Sequence, residues 1–98
     1  MAEESKLQTK ILEDLRSYGK NIVAFKIQKT SDNGIPDVFF TTLRTGAVFI
    51  EVKKKGEKPT ALQNKKIRDL SKCGCLACYC SSWEEWTMIK LMVQLSHE

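Results

Sequence analysis

Asp37, Glu51 and Lys53 are the residues whose types and spacing could act together. Side chains alternate between faces along a strand. In the run 48–53, Val48, Ile50 and Val52 therefore share one face, and Phe49, Glu51 and Lys53 share the other. Charge at the end of an apolar strand is costly to bury unless it is paired or holds a metal. Gly34-Ile35-Pro36-Asp37 delivers a second carboxylate at the start of the preceding apolar run. A hairpin of residues 37–42 and 47–53, joined through Leu43-Arg44-Thr45-Gly46, puts residue 37 opposite 51–53, so the three side chains converge. Two carboxylates suit Mg²⁺ or Mn²⁺, hard cations that keep several waters, and the Val52 carbonyl offers a further oxygen. A lysine beside such a cation can orient or help deprotonate a water and can offset phosphate charge. That is hydrolytic phosphodiester chemistry. The chain has no G-x-x-x-x-G-K-[ST] loop, so no nucleotide cofactor is expected.

The elements that must position these groups are legible from periodicity. Residues 5–18 read as a helix on Leu7, Ile11, Leu12, Leu15 and Tyr18, with Gly19 as its stop. Glu4 falls about 60° from Leu7 and within about 80° of every member of that stripe, if the helix already includes it. It is either an acid aimed at the core or one that complements the helix macrodipole. Residues 21–28 read as a strand, and the segment from Thr30 to Gly34 is rich in turn formers. Residues 54–58 form a basic loop ending at Pro59, and Thr60 with Gln63 is a capping-box pattern opening a helix to about residue 72, closed by Gly74. Gln63 caps that helix, and its direction also suits an amide reaching the site. Residues 75–80 read as a short strand and 83–95 as a last helix, with Ser82 and Glu85 as a second capping box. The order α-β-β-β-α-β-α predicts a single α/β domain, a mixed sheet flanked by helices.

Gly34-x-Pro36-Asp37, Phe49-Ile50-Glu51-Val52-Lys53 and Pro59-Thr60-x-x-Gln63 together resemble the PD-(D/E)xK nuclease superfamily. More narrowly they resemble its virus-type replication-repair nuclease (VRR-Nuc) domain, above all the small stand-alone phage-like members. The resemblance implies a restriction-endonuclease-like α-β-β-β-α-β core followed by a C-terminal helix, and divalent-metal-dependent DNA cleavage. It makes Asp37 and Glu51 metal ligands and Lys53 the catalytic lysine. Glu4 matches the acid on the first helix, able to assist at the metal, and Gln63 the glutamine after the Glu-x-Lys strand. Small members are similar to Holliday-junction resolvases in motif spacing and often work as homodimers, so branched DNA in replication, recombination or repair is the expected substrate. The alternative is a non-catalytic DNA-binding module on the same scaffold. Intact Asp37, Glu51 and Lys53 speak against it.

The remaining features bear on partners. The 98 residues carry 16 Lys or Arg against 12 Asp or Glu, a mild excess that permits an anionic partner. Residues 51–72 concentrate it, with eight Lys or Arg and three acids; Lys54, Lys55 and Lys58 flank the site and are candidate phosphate contacts. Lys26 and Lys29, at the end of the first strand, are candidates for the same groove or ordinary exposed lysines. The last helix is apolar over more than one face, which suggests burial against a second copy of the chain. Cys73, Cys75, Cys78 and Cys80 read as packing thiols, with a zinc module as the competing reading, since their spacing is not that of paired C-x-x-C knuckles. No apolar run reaches the roughly 18 residues that span a bilayer, and the polar N-terminus lacks a secretion signal, so an intracellular, cytoplasmic location is expected, in the host if the chain is phage-encoded.

Overall fold

The structure, a computed structural model, describes residues 3–28 and 33–95. Helix α1 spans Glu3–Arg16, strand β1 Ile22–Lys26, β2 Val38–Thr42, β3 Gly46–Val52, helix α2 Ala61–Lys72, strand β4 Leu76–Cys80 and helix α3 Trp83–Met92. This is the order that the apolar periodicity predicts. Lys29 and most of the turn-rich segment after it lie outside the described residues.

The four strands form one sheet in the order β1-β2-β3-β4. The first three are antiparallel neighbours and β4 joins β3 in parallel, so α2 is the crossover that a parallel pair requires. The hairpin register pairs Val38 with Ile50 and Thr42 with Gly46. Gly46 takes φ 65, and the Thr42 and Thr45 hydroxyls bond each other at 3.1 Å, which closes the turn.

One face of the sheet is the core side. Val38, Phe40, Val48, Ile50, Val52 and Cys80 are buried there beneath Ile11, Leu12 and Leu15 of α1 and Trp86 and Ile89 of α3. Trp86 sits edge-on to Phe40 with centroids 5.9 Å apart. Cys78 and Cys80 lie on this side as free thiols, and burial pushes both up to about 11. Phe25, Phe39 and Phe49 line the other face in a row, at 5.1 Å per step, and α2 covers its β4 side without burying any of its own residues fully.

Helix ends differ from the sequence expectation, and α1 closes at Arg16 rather than residue 18. Helix α1 begins at Glu3 rather than residue 5, so Glu4 is inside its first turn. Helix α3 stops at Met92 rather than continuing to 95, because Gln94 adopts φ 57 and the Gln94 and Leu95 amides bond back to the Leu91 and Lys90 carbonyls. Gly74 ends α2 through the same double bond pattern. The Ser82–Glu85 pair is half a capping box: the Ser82 hydroxyl accepts from the Glu85 amide, but the Glu85 carboxylate takes the amide of Ser81 at 2.6 Å, one residue earlier.

Asp14 fastens α3 to α1. Its Oδ2 accepts from the Trp86 indole N–H at 2.8 Å and from the Lys90 ammonium at 2.9 Å. Trp86 is fully buried, so removing the acceptor leaves an unsatisfied donor. Asp14→Ala is expected to lower stability by about 1–3 kcal/mol, read as a drop in the urea midpoint. A midpoint unchanged from the parent contradicts this account of how α3 is held.

Candidate active site

Asp37 immediately precedes β2, and three backbone contacts fix it. Its amide donates to the Ile50 carbonyl at 3.1 Å, its carbonyl accepts from Ile27 at 2.7 Å, and its Oδ2 accepts from the Val52 amide at 2.9 Å. The register that pairs Val38 with Ile50 thus brings the Asp37 carboxylate against Glu51. Glu51 is only 4% exposed. Burial, and the hydrogen bond and negative charge of Asp37, push its carboxyl up to about 8, and Lys53 offsets part of this.

Proline and glycine deliver the approach to this pair. Pro36 is fully buried, and Gly34 has φ +82. A Cβ on Gly34 would lie 2.6 Å from the Leu62 carbonyl oxygen, so the loop before Asp37 sits directly on the first turn of α2.

Lys53 follows β3, anchored by its amide on the Cys80 carbonyl at 2.9 Å. Its ammonium lies 3.5 Å from Glu57, with the side chain 11% exposed. Glu4 reaches the same place from α1. Facing Glu57 and partly buried, its carboxyl is raised, against the pull of the Lys54 amide and of Lys53. Glu57 is lowered by the hydrogen bond from Glu4 and by the Lys53 ammonium. Asp37, Glu51 and Lys53 therefore converge, and Glu4 stands beside Lys53 against Glu57.

Gln63 lies beside the Gly34 loop, but its Oε1 accepts from the Thr60 amide at 2.9 Å, completing the capping box. The Val52 amide is spoken for by Asp37. Lys26 is exposed at the β1 end paired with Val38, and Lys54, Lys55 and Lys58 are exposed on the loop after β3. Lys29 lies outside the described residues.

Sequence reasoning missed Glu57, Gln8 and the pair Tyr79–Asn64. Glu57 is folded back onto Lys53 by a turn whose Glu57 amide bonds the Lys54 carbonyl at 2.9 Å, with Gly56 at φ 85. Its i,i+4 spacing from Lys53 was the available signal. Gln8, one turn beyond Glu4, is 8% exposed, and its Oε1 has no partner among the described residues. Tyr79 is the parallel partner of Glu51 and donates its hydroxyl to Asn64 on α2 at 2.6 Å. Only the pairing of β3 with β4 could reveal that contact.

The donor set fits a small hard cation. Two carboxylates held against each other, one of them buried, face Lys53 as their cation among the described residues, one positive charge for two acids. Among the described residues no three acidic, histidine or cysteine side chains gather as a ready-made metal cluster, so Asp37 and Glu51 would hold such an ion together with backbone oxygen and water.

A fold and site of this kind invite comparison with known proteins. The family model described as the VRR-NUC domain matches residues 2–84. The chain belongs to the VRR-NUC family. Two solved structures share the fold with TM-scores of 0.78. One, described as "VRR_NUC domain", is 21% identical and covers 91% of this chain and 95% of its own. The other, a "VRR_NUC domain protein", is 18% identical over 99% of this chain and 93% of its own. Comparison with curated proteins gives no match. VRR-NUC is a nuclease domain family, which makes DNA the implied substrate. Among the described residues no helix is long and apolar enough to cross a membrane.

The Glu51 carboxyl sets a pH dependence of stability. Its folded value of about 8 lies above the ordinary 4.5, so folding favours the protonated form. Its contribution is complete below about 4.5 and is lost as the pH rises toward 8. Thermal melts in chelator are expected to show a midpoint that falls from pH 5 to pH 8, and a flatter profile in Glu51→Gln. Parallel profiles for the two proteins contradict this.

Proposed function

We propose that this VRR-NUC domain is a Mg²⁺- or Mn²⁺-dependent endodeoxyribonuclease that acts on branched DNA as a homodimer. The observation that carries the hydrolytic reading is the buried Glu51 carboxylate held against Asp37, with Lys53 beside it. Asp37 and Glu51 would hold the cation. When bound, that cation polarises the scissile phosphate and lowers the pKa of its water.

The chain's own residues do the rest. Lys53, largely shielded from solvent and steadied by Glu57, presents a fixed positive charge to the attacked phosphate and to the water that attacks it. Glu4, raised by its neighbour Glu57, can hold a proton or accept one from that water as the charge around it changes. Exposed Lys54, Lys55, Lys58 and Lys26 supply phosphate contacts on either side.

Branched DNA rests on the resemblance of the motif spacing to junction resolvases. The homodimer rests on α3. Met88, Leu91 and Met92 are 59–68% exposed on a helix that flanks the free edge strand β4. A two-fold dimer would present two reactive centres to two strands.

Cleavage of a four-way junction, a flap, a duplex and a single strand in Mg²⁺ or Mn²⁺ tests the reaction. Asp37→Ala, Glu51→Ala and Lys53→Ala are each expected to lower the rate by on the order of 10²-fold or more with the fold intact, and chelator is expected to abolish cutting. Parental rates in all three variants overturn the assignment. For the dimer, light scattering is expected to give twice the chain mass, and Leu91→Lys with Met92→Lys to give a monomer. A parent that runs as a monomer at micromolar concentration contradicts it.

A further inference from the structure

Beside the reactive centre lies a second feature that hydrolysis does not require. A cavity of about 320 Å³ opens between α1, the residues after β3 and the start of α3. Five lysines line it, Lys6 and Lys10 from α1 and Lys53, Lys54 and Lys55 from the loop, together with Trp83. Among the described residues no acidic side chain lines it. Of the five lysines, only Lys53 has an ion-pair partner among the described residues. Crowded ammonium groups with less counter-charge than their own repel one another and attract an anion.

The aromatic wall narrows the choice of anion. The Lys10 ammonium lies 4.8 Å from the Trp83 ring centroid, so the indole face meets the cavity's positive charge. A concave site with cationic walls and one aromatic face matches a phosphate joined to a flat ring, and the volume is at the lower end of small-molecule pockets. Bases inside a duplex are stacked on their neighbours and cannot enter a cavity. An unpaired base can. Lys53 belongs both to this cavity and to the Asp37–Glu51 centre, which makes the two sites immediate neighbours on one strand.

We propose that the cavity lined by Lys6, Lys10, Lys54, Lys55 and Trp83 takes one unpaired nucleotide of a DNA strand next to the phosphate that is cut, with its phosphate on the lysines and its base on the indole. The position of the cut relative to this nucleotide rests on the nuclease reading above. The binding itself does not. The enzyme then cuts where a strand leaves a duplex in preference to fully paired DNA.

The test uses the whole chain and its own fluorescence. Trp83 and Trp86 are the two tryptophans, and Trp86 is fully buried, so ligand quenching reports Trp83. In chelator, an eight-nucleotide oligothymidylate is expected to quench the emission saturably, whereas a blunt duplex and inorganic phosphate leave it unchanged. By anisotropy of a labelled oligothymidylate, Lys6→Ala/Lys10→Ala is expected to weaken binding about ten-fold. Trp83→Leu is expected to weaken it about ten-fold and Trp83→Phe to restore it. Oligothymidylate bound without quenching, quenching by phosphate alone, or parental affinity in the lysine pair overturns the proposal. Metal-dependent cleavage without quenching overturns the cavity and leaves the nuclease reading standing. Quenching without cleavage in any metal does the reverse.

Discussion

Two carboxylates that repel each other are held in contact where β2 begins and β3 ends. The contact is imposed by backbone geometry. The Asp37 amide and carbonyl are tied into the sheet on both sides, and the Val52 amide grips its side chain. Glu51 comes to the same point by strand alternation, with Val48, Ile50 and Val52 buried on the core face and Glu51 forced to the other. A one-residue slip of the hairpin would move Glu51 into the core and Ile50 toward solvent, so the burial that fixes the register also fixes the carboxylates. The cost appears as the raised Glu51 carboxyl, and a divalent cation is the partner that would relieve it.

The rest of the molecule divides along the sheet. The face beneath α1 and α3 is closely packed around Phe40 and Trp86, and it supplies most of the burial. The face carrying Glu51 is lightly covered. Helix α2 rests there through the Tyr79–Asn64 bond and the close approach of Gly34, with none of its residues fully buried. Such an asymmetry gives the carboxylates a rigid support and leaves their face of the sheet open. The lysines follow the same division, since those of the β3–α2 loop are exposed around the opening while Lys53 is drawn inward by Glu57.

Much of this was legible in the residues themselves. The alternation around Glu51 and Lys53 and the Gly-x-Pro-Asp run point to the hairpin that brings Asp37 to Glu51, because register follows from burial; the turn itself is one residue shorter than the Leu43–Gly46 joint expected, since Gly46 already pairs with Thr42. The phase of Glu4 within the α1 stripe turns it inward, and in the structure it faces Glu57 and Lys53, since helix geometry is local. What escaped depends on contacts between distant elements. Glu57 lay within a basic run, and its return to Lys53 and Glu4 depends on a turn at Gly56. Asp14 has the composition of an ordinary surface acid, yet two donors 72 and 76 residues away make it a clasp. Lys6 and Lys10 belong to the polar side of α1 and acquire meaning only when Trp83 and the loop after β3 close around them. Gln63 shows the opposite case, a residue whose capping bond was read from four letters of sequence and stands in the structure.

The central claim is that Asp37 and Glu51 form one cation site, and anomalous diffraction from crystals grown in Mn²⁺ tests it most directly. The account predicts a manganese peak within coordinating distance of both carboxylates in the parent, and its loss in Glu51→Gln crystals. A peak that contacts neither side chain, or a parent crystal with no manganese at this point at saturating Mn²⁺, would contradict it.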